Sequence, residues 1–169
     1  MSTNLQSNSV RFQASCKSLQ SLFDLAEDKA SQNIRQYTPE YTVLVEGGPY
    51  PFVWSETQPM AAAMYAKRNL HAARDTVRIF LDHQRSDGRI AGMIMNFSND
   101  IWGLGEDCEI SDDGLLGSYF ACLQGFCMAE PALDLAYDLG LDTEYLRPVA
   151  QMLKGYDEYL WAHRDSDGD

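Results

Sequence analysis

Apolar residues recur at the spacing of an α-helix along most of this chain, and helices of two kinds alternate in the pattern. One kind has a single apolar stripe, which indicates a helix lying on a core. The other kind is apolar on all sides, which indicates a helix buried all round. Such helices in alternation pack as hairpins, with the fully buried ones inside. The pattern therefore predicts an all-α protein of stacked α-hairpins, as a toroid or a solenoid.

The predicted helices form two units of this kind. A striped helix from about 13 to 36 comes first, with the apolar residues Phe12, Cys16, Leu19, Phe23, Ala26 and Ala30. Residues 60–65 are predicted to be buried all round, and the stripe of the next helix is Leu70, Ala73, Val77, Phe80 and Leu81. Residues 115–139 are also predicted to form a helix that is buried all round. The last helix starts near Pro148, and its stripe is Val149, Met152, Leu153, Tyr156 and Leu160.

A short motif closes each unit. Residues 83–88 and 163–168 share His, Ser, Asp and Gly at the same positions, which indicates an internal repeat of long period. Because Asp-Gly is a common way to leave a helix, a chance match of the two turns is the alternative.

The composition limits the class of partner. A net charge of −12 offers no cluster of Lys and Arg to neutralise phosphates, so neither nucleic acid nor an anionic membrane is expected as a partner. Residues 1–12 are rich in Ser, Asn and Gln and are expected to be disordered, which leaves 13–169 as one domain. The N-terminus resembles no secretory signal, so a cytoplasmic location is expected.

Cysteine, metal and cofactor chemistry are not indicated. The four cysteines form no Cys-x-x-Cys pair and are predicted to be reduced, buried thiols. They are Cys16, Cys108, Cys122 and Cys127. Asp165, Asp167 and Asp169 have the alternate spacing of a calcium loop but lack its Gly and distal Glu, so calcium binding stays open. No phosphate-binding, dinucleotide or nucleophile-elbow motif occurs, and no cofactor is expected.

Residues 50–58 bring aromatic rings, a carboxylate and an amide to the start of a predicted helix. Ser55 and Gln58 have the spacing of a capping box, with Pro59 in the first turn. A sugar stacks its apolar face on an aromatic ring, while its hydroxyl groups need acceptors and amides. The candidate sugar ligands are Tyr50, Phe52, Trp54, Glu56, Thr57 and Gln58. The alternative is that Trp54 belongs to the core and that Glu56 stabilises the helix N-terminus.

Three further candidates are polar. Arg85 and Arg89 flank Asp87 in a Gly-rich turn, which is either part of a cleft or a solvated turn with a weak ion pair. Gln124 lies in an apolar stretch, and a buried amide there would bind substrate or neighbouring backbone. The third is an acidic loop of Glu106, Asp107, Glu109, Asp112 and Asp113. Like charges in that loop would raise a pKa towards that of a general acid, unless the loop is simply solvated or a weak cation site.

The stretches from Tyr50 to Arg68, HQRSDGRIAGMI and HRDSDGD resemble the six-hairpin glycosidases, which include glycoside hydrolase family 63 and its bacterial relatives. The resemblance implies the N-terminal part of an (α/α)6 barrel, here an incomplete toroid. Such enzymes line the subsite of the scissile sugar with a Trp-and-carboxylate segment, which Trp54, Glu56 and Gln58 resemble. Gln124 is similar to a substrate-binding glutamine on another inner helix.

The resemblance also implies a function. Relatives hydrolyse α-linked sugars with inversion, using a general acid and a general base that would lie beyond the last residue. The chain is therefore expected to supply part of the substrate cleft and no catalytic residue. The expected partner is a carbohydrate, either an α-glycoside or an oligosaccharide. The alternative is a small α-helical repeat protein that serves as a protein-interaction module. Self-association through the unfinished hairpin edge is a further expectation.

Overall fold

The computed structural model describes residues 10–96, 107–119, 128–164 and 168, and these contain both helices and sheets. The helices are α1 (Lys17–Gln32), α2 (Gln58–Tyr65), α3 (Leu70–Asp82), α4 (Ala129–Asp138) and α5 (Thr143–His163). The strands are β1 (Ile34–Thr38), β2 (Tyr41–Leu44), β3 (Val53–Trp54), β4 (Met93–Asn96), β5 (Cys108–Ile110) and β6 (Leu115–Ser118).

The prediction of an all-α toroid of stacked hairpins is wrong. Strands make up 18% of the described residues and form two antiparallel sheets, so the fold is mixed α and β. The difference is clearest at residues 115–118, where the apolar pattern predicts a buried helix and the chain forms β6. All four of these residues are buried. A short buried strand is apolar on both faces, so its pattern does not differ from that of a buried helix.

A two-stranded sheet, β1–β2, packs on α3. Ile34 pairs with Leu44, and the strands run antiparallel. Two side chains of α3 bind the backbone of β2: the Thr42 amide donates to Asp75 over 3.1 Å, and the Leu44 amide donates to the Thr76 hydroxyl over 2.8 Å. Asp75 is fully buried, although it is not part of the apolar stripe of this helix. The Asp75 carboxylate therefore accepts the hydrogen bond that a further strand beside β2 would otherwise accept.

The four-stranded sheet has the order β3–β4–β6–β5, with every neighbouring pair antiparallel. Because side chains alternate across a strand, the sheet has two different faces. Val53, Ile94 and Leu115 face the main core that the helices cover. The other face carries a smaller cluster of Phe52, Met93, Met95 and Leu116, with Trp54 and Cys108 packed against it.

Two helices are less buried than their patterns predicted. The helix α2 exposes Met60 and Met64 by 43% and 77%, so it is not buried all round. The helix α1 has no buried residue at all, and its stripe leaves Leu19 exposed. A bidentate ion pair between Glu27 and Arg68, with a shortest distance of 2.6 Å, ties α1 to the turn after α2. Periodicity predicts a helix here but not how closely it packs.

The last helix, α5, is capped by Asp142, whose side chain accepts a hydrogen bond from the Glu144 amide over 2.9 Å. It begins at Thr143, so Pro148 lies inside the helix and not in its first turn. Val149 and Met152 are buried in the core as predicted. Among the described residues, no helix has both the length and the apolar composition needed to cross a membrane.

Candidate functional site

Most of the residues predicted to bind substrate meet at one end of the four-stranded sheet. Trp54, Met93, Ser118 and Cys108 form one row across β3, β4, β6 and β5. The chain beyond this row continues the pairing: the Ser55 amide donates to Gly92 over 2.9 Å. In the same way the Gly92 amide donates to Ser118 over 2.9 Å, and the Tyr119 amide donates to Asp107 over 2.8 Å. We call residues 54–58, 85–92, 107 and 119 the sheet end.

Gln58 holds the first segment of the sheet end in place. Its side-chain oxygen accepts from the Trp54 amide over 2.8 Å and from the Thr57 hydroxyl over 2.8 Å. Ser55 is buried, and its hydroxyl donates to the Gly92 carbonyl over 3.2 Å. The predicted capping box is not formed. The helix α2 begins at Gln58 with Thr57 as its N-cap, Gln58 accepts from the Trp54 amide, and both the amide and the hydroxyl of Ser55 bond to Gly92. Gln58, which was predicted as a sugar ligand, lies buried under the segment and orients it.

The aromatic candidates differ in exposure. Trp54 is half-buried and meets Phe52 edge-on, with ring centroids 6.3 Å apart. Phe52 is only 1% exposed, so it packs in the core and offers no face to solvent. Tyr50 is 42% exposed and lies in the turn that begins at Gly47, before β3. Glu56 is half-buried beside Trp54 in the chain. Trp54 and Glu56 are therefore at the sheet end, while Tyr50 lies beyond the other end of β3.

The arginine turn and part of the acidic loop, predicted as separate candidates, form one cluster. The two oxygens of Asp107 accept from Arg85 over 2.8 Å and from Arg89 over 2.5 Å. Asp87 accepts from the Arg89 amide over 3.0 Å, and Glu109 lies 3.4 Å from Arg85. Burial lowers the pKa of Arg85, but the surrounding carboxylates outweigh burial and raise it above its ordinary value. Asp107 therefore holds both guanidinium groups in place.

Tyr119 forms the floor of this cluster. Its ring lies under the Arg85 guanidinium at 5.2 Å, and its carbonyl accepts from Arg89 over 2.6 Å. The phenol donates to the carbonyl of His83 at the end of α3, over 2.6 Å. Burial, with the nearby carboxylate of Glu109, raises the pKa of Tyr119 to about 12, so the phenol stays protonated. Nothing in the sequence pattern indicated this tyrosine.

The arginine turn is docked on α5 through two glycines. Gly88 has φ +92°, and a Cβ placed there would lie 2.1 Å from the carbonyl oxygen of Gly155. The side chain of Gln84 donates to Gly88 over 2.7 Å and to Met152 of α5 over 2.9 Å. Arg89 also lies over the ring of Tyr159 at 5.7 Å. The helix therefore fixes the position of the turn.

The far tip of the β5–β6 hairpin is fastened to α3 by His83. One ring nitrogen of His83 lies 2.7 Å from the Ile79 carbonyl, and the other lies 3.0 Å from the Ser111 hydroxyl and 3.3 Å from Asp113. Burial raises the pKa of Asp113, but hydrogen bonds from Ser111, the Leu115 amide and His83 outweigh burial and hold it below its ordinary value. Asp113 is therefore ionised and does not fit the general acid suggested for this loop.

Several candidates lie outside the described residues. These are Gln124, Glu106, Cys122, Cys127 and the three aspartates Asp165, Asp167 and Asp169. Within the described part of the chain, no three His, Cys, Asp or Glu side chains converge as a metal site would require. Cys16 and Cys108 are in no disulfide, but Cys16 is exposed, in contrast to the predicted buried thiol.

The sheet end and the strands beside it combine a half-buried aromatic ring with carboxylates and buried hydroxyl groups. The Ser118 hydroxyl is buried in the row beside Met93 and has no hydrogen-bond partner among the described residues. The carboxylates of Asp87, Asp107 and Glu109 are 37%, 42% and 53% exposed, so each has oxygen atoms open to solvent. Comparison with protein-family models, curated proteins and solved structures finds no match to this chain. Its function must therefore be argued from these residues.

Proposed function

We propose that the sheet end is part of the sugar-binding cleft of a hydrolase that acts on α-linked sugars. The observation that carries this proposal is the pairing of Trp54 with Met93 and of Ser55 with Gly92, which joins two candidate segments. The two segments are distant in the chain, and the paired residues Ser55 and Gly92 are 37 positions apart. The proposal retains the sugar chemistry of the glycosidase resemblance without the all-helical toroid.

The chemistry of the sheet end fits a neutral polyol. Trp54 supplies a ring on which the apolar face of a sugar stacks. Glu56 and the exposed oxygens of Asp87 and Asp107 accept hydrogen bonds from sugar hydroxyl groups. Three inter-strand spacings of about 4.8 Å separate β3 from β5, so the site spans about 14 Å. That width matches an oligosaccharide better than a single small ion.

The arginines position these acceptors. Charge-assisted hydrogen bonds hold Asp107 between Arg85 and Arg89, so the acceptor lies in a fixed place before a ligand arrives. Both oxygens of this carboxylate already accept a hydrogen bond from a guanidinium group. Asp107 therefore binds substrate in this proposal, and the acid and base of an inverting reaction are assigned to no described residue.

We also propose that the protein works in a reducing compartment such as the cytoplasm. Neither Cys16 nor Cys108 is in a disulfide, although Cys16 is exposed and accessible to oxidants. An exposed thiol persists where glutathione and thioredoxin keep it reduced.

Replacement of Trp54 tests the sugar site. Trp54→Ala removes the stacking face, and we expect it to weaken binding of short α-linked glucose or mannose oligosaccharides about tenfold or more, measured by calorimetric titration. Trp161→Ala is the matched control, because Trp161 is a 58% exposed tryptophan on α5. Equal binding by the two variants, or no binding of any sugar to the folded chain, would reject the proposal.

A further inference from the structure

An open groove lies between α2 and the start of α4. Its volume is about 410 Å³, and its lining includes Met60, Met64, Met128 and Pro131. Met128 is fully buried and forms the floor, whereas Met60 and Met64 project from α2 and are 43% and 77% exposed. Two exposed methionines beside the buried Met128 leave apolar area in contact with water, which is unfavourable in free energy. Such a patch indicates a surface that a partner covers.

The methionines give this groove an adaptable surface. Met is unbranched and polarisable, so its side chain fits apolar partners of irregular shape. The two helices are short, about 12 Å for α2 and about 15 Å for α4 at 1.5 Å per residue. A groove of this length accepts two or three turns of a third helix, in the mode by which amphipathic helices bind apolar grooves.

Charge specifies the partner. Glu130 and Asp134 line the groove one turn apart on α4, and both are exposed. No Lys or Arg is among the described residues that line it. The whole chain carries a net charge of −12, which repels a second copy and any acidic partner. We propose that this groove binds an amphipathic helix of a partner protein, with an apolar face on the methionines and basic residues against Glu130 and Asp134.

Three synthetic helical peptides test this proposal with the intact chain. The first has leucines on one face and lysines on the other, the second has glutamates in place of the lysines, and the third has the composition of the first with the leucines scattered. We expect one-to-one binding of the first peptide, measured by fluorescence anisotropy. Its affinity should fall as salt is raised, and should exceed that of the other two peptides by about tenfold or more.

Variants locate the binding. Met60→Ser Met64→Ser removes the apolar surface at exposed positions, and Glu130→Gln Asp134→Asn removes the charge. Each pair should weaken binding of the first peptide about tenfold, whereas Asp157→Asn Glu158→Gln on α5 should change it less than threefold. Equal binding of the scattered peptide, or insensitivity to both groove pairs, would overturn the proposal. So would a dimer in light scattering that Met60→Ser Met64→Ser abolishes, because a second copy would then occupy the groove.

Discussion

At the scale of single residues, the surroundings of each carboxylate are set by the groups that bind it, and carboxylates close together in the sequence have different partners. Asp107 accepts from two arginines, Asp113 from a serine and a backbone amide, and Asp75 from the edge of β2. The acidic run from 106 to 113 suggested one solvated or catalytic loop. Among the described residues, the structure divides this run between the cluster of arginines and carboxylates at the sheet end and a hairpin turn on α3, so charge density along the sequence did not predict the partners of each carboxylate.

The contacts of Asp113 predict that the fold becomes less stable at acid pH. Its folded pKa lies below the ordinary value of 3.8, so it stabilises the fold above that value and loses this effect as the pH falls through the folded pKa. Asp113→Asn should lower the free energy of unfolding by about 1–3 kcal/mol near pH 5.5. The difference from the wild type should shrink towards pH 2.5. Urea unfolding between these pH values measures it.

The neighbouring residue provides the control for this effect. Asp112 is exposed in the same turn, so Asp112→Asn makes the same change in charge at a solvated position. It should alter the free energy of unfolding by less than about 0.5 kcal/mol at any pH in this range. A constant difference between wild type and Asp113→Asn down to pH 2.5 would contradict the described contacts of Asp113.

At the scale of elements, the position of the arginine turn depends on how closely it approaches α5. Gly88 lies against the carbonyl of Gly155, in a left-handed conformation that an L side chain rarely adopts. The position of Arg85 and Arg89 follows from this contact, because both residues flank Gly88. Loss of the contact should therefore affect both stability and the sheet end.

Substitution of two glycines separates backbone strain from the contact with α5. Gly88→Ala should lower the free energy of unfolding by about 3 kcal/mol or more, because it adds a clash to the strain of a positive φ. Gly140→Ala should cost only about 1–2 kcal/mol, because Gly140 has φ +70° but no atom within 4 Å of an added Cβ. Denaturant unfolding measures both. Equal losses would show that Gly88 does not touch α5.

Prediction of elements succeeded where the period was long and clear. The stripe over 70–81 matches α3, whose Ala73, Val77 and Phe80 are buried. It failed where a short buried strand lay within a longer apolar stretch, as in β6, or where exposure depends on a neighbour, as for Met64 of α2. Local spacing determines the period of an element, but long-range packing determines whether its surface is covered.

At the scale of the whole molecule, the four-stranded sheet assembles the candidate site. Trp54 and Glu56 at the end of β3 and the turn before β4 were both predicted to be important, and the antiparallel register places them at the same end. Their proximity to Asp107 depends on β6 and β5, which the sequence pattern did not predict. Register between distant strands is set by tertiary pairing, so no single segment contains that information.

The central claim is that these distant segments form one sugar-binding surface. Amide hydrogen exchange tests it directly, on the intact chain with and without saturating short α-linked oligosaccharides. We predict joint protection of residues 54–58 and 85–92, because a sugar at the sheet end contacts both. Trp54→Ala Glu56→Gln should abolish protection in both segments together. Protection of one segment alone, or of neither in a chain whose α3 amides remain protected, would contradict the account.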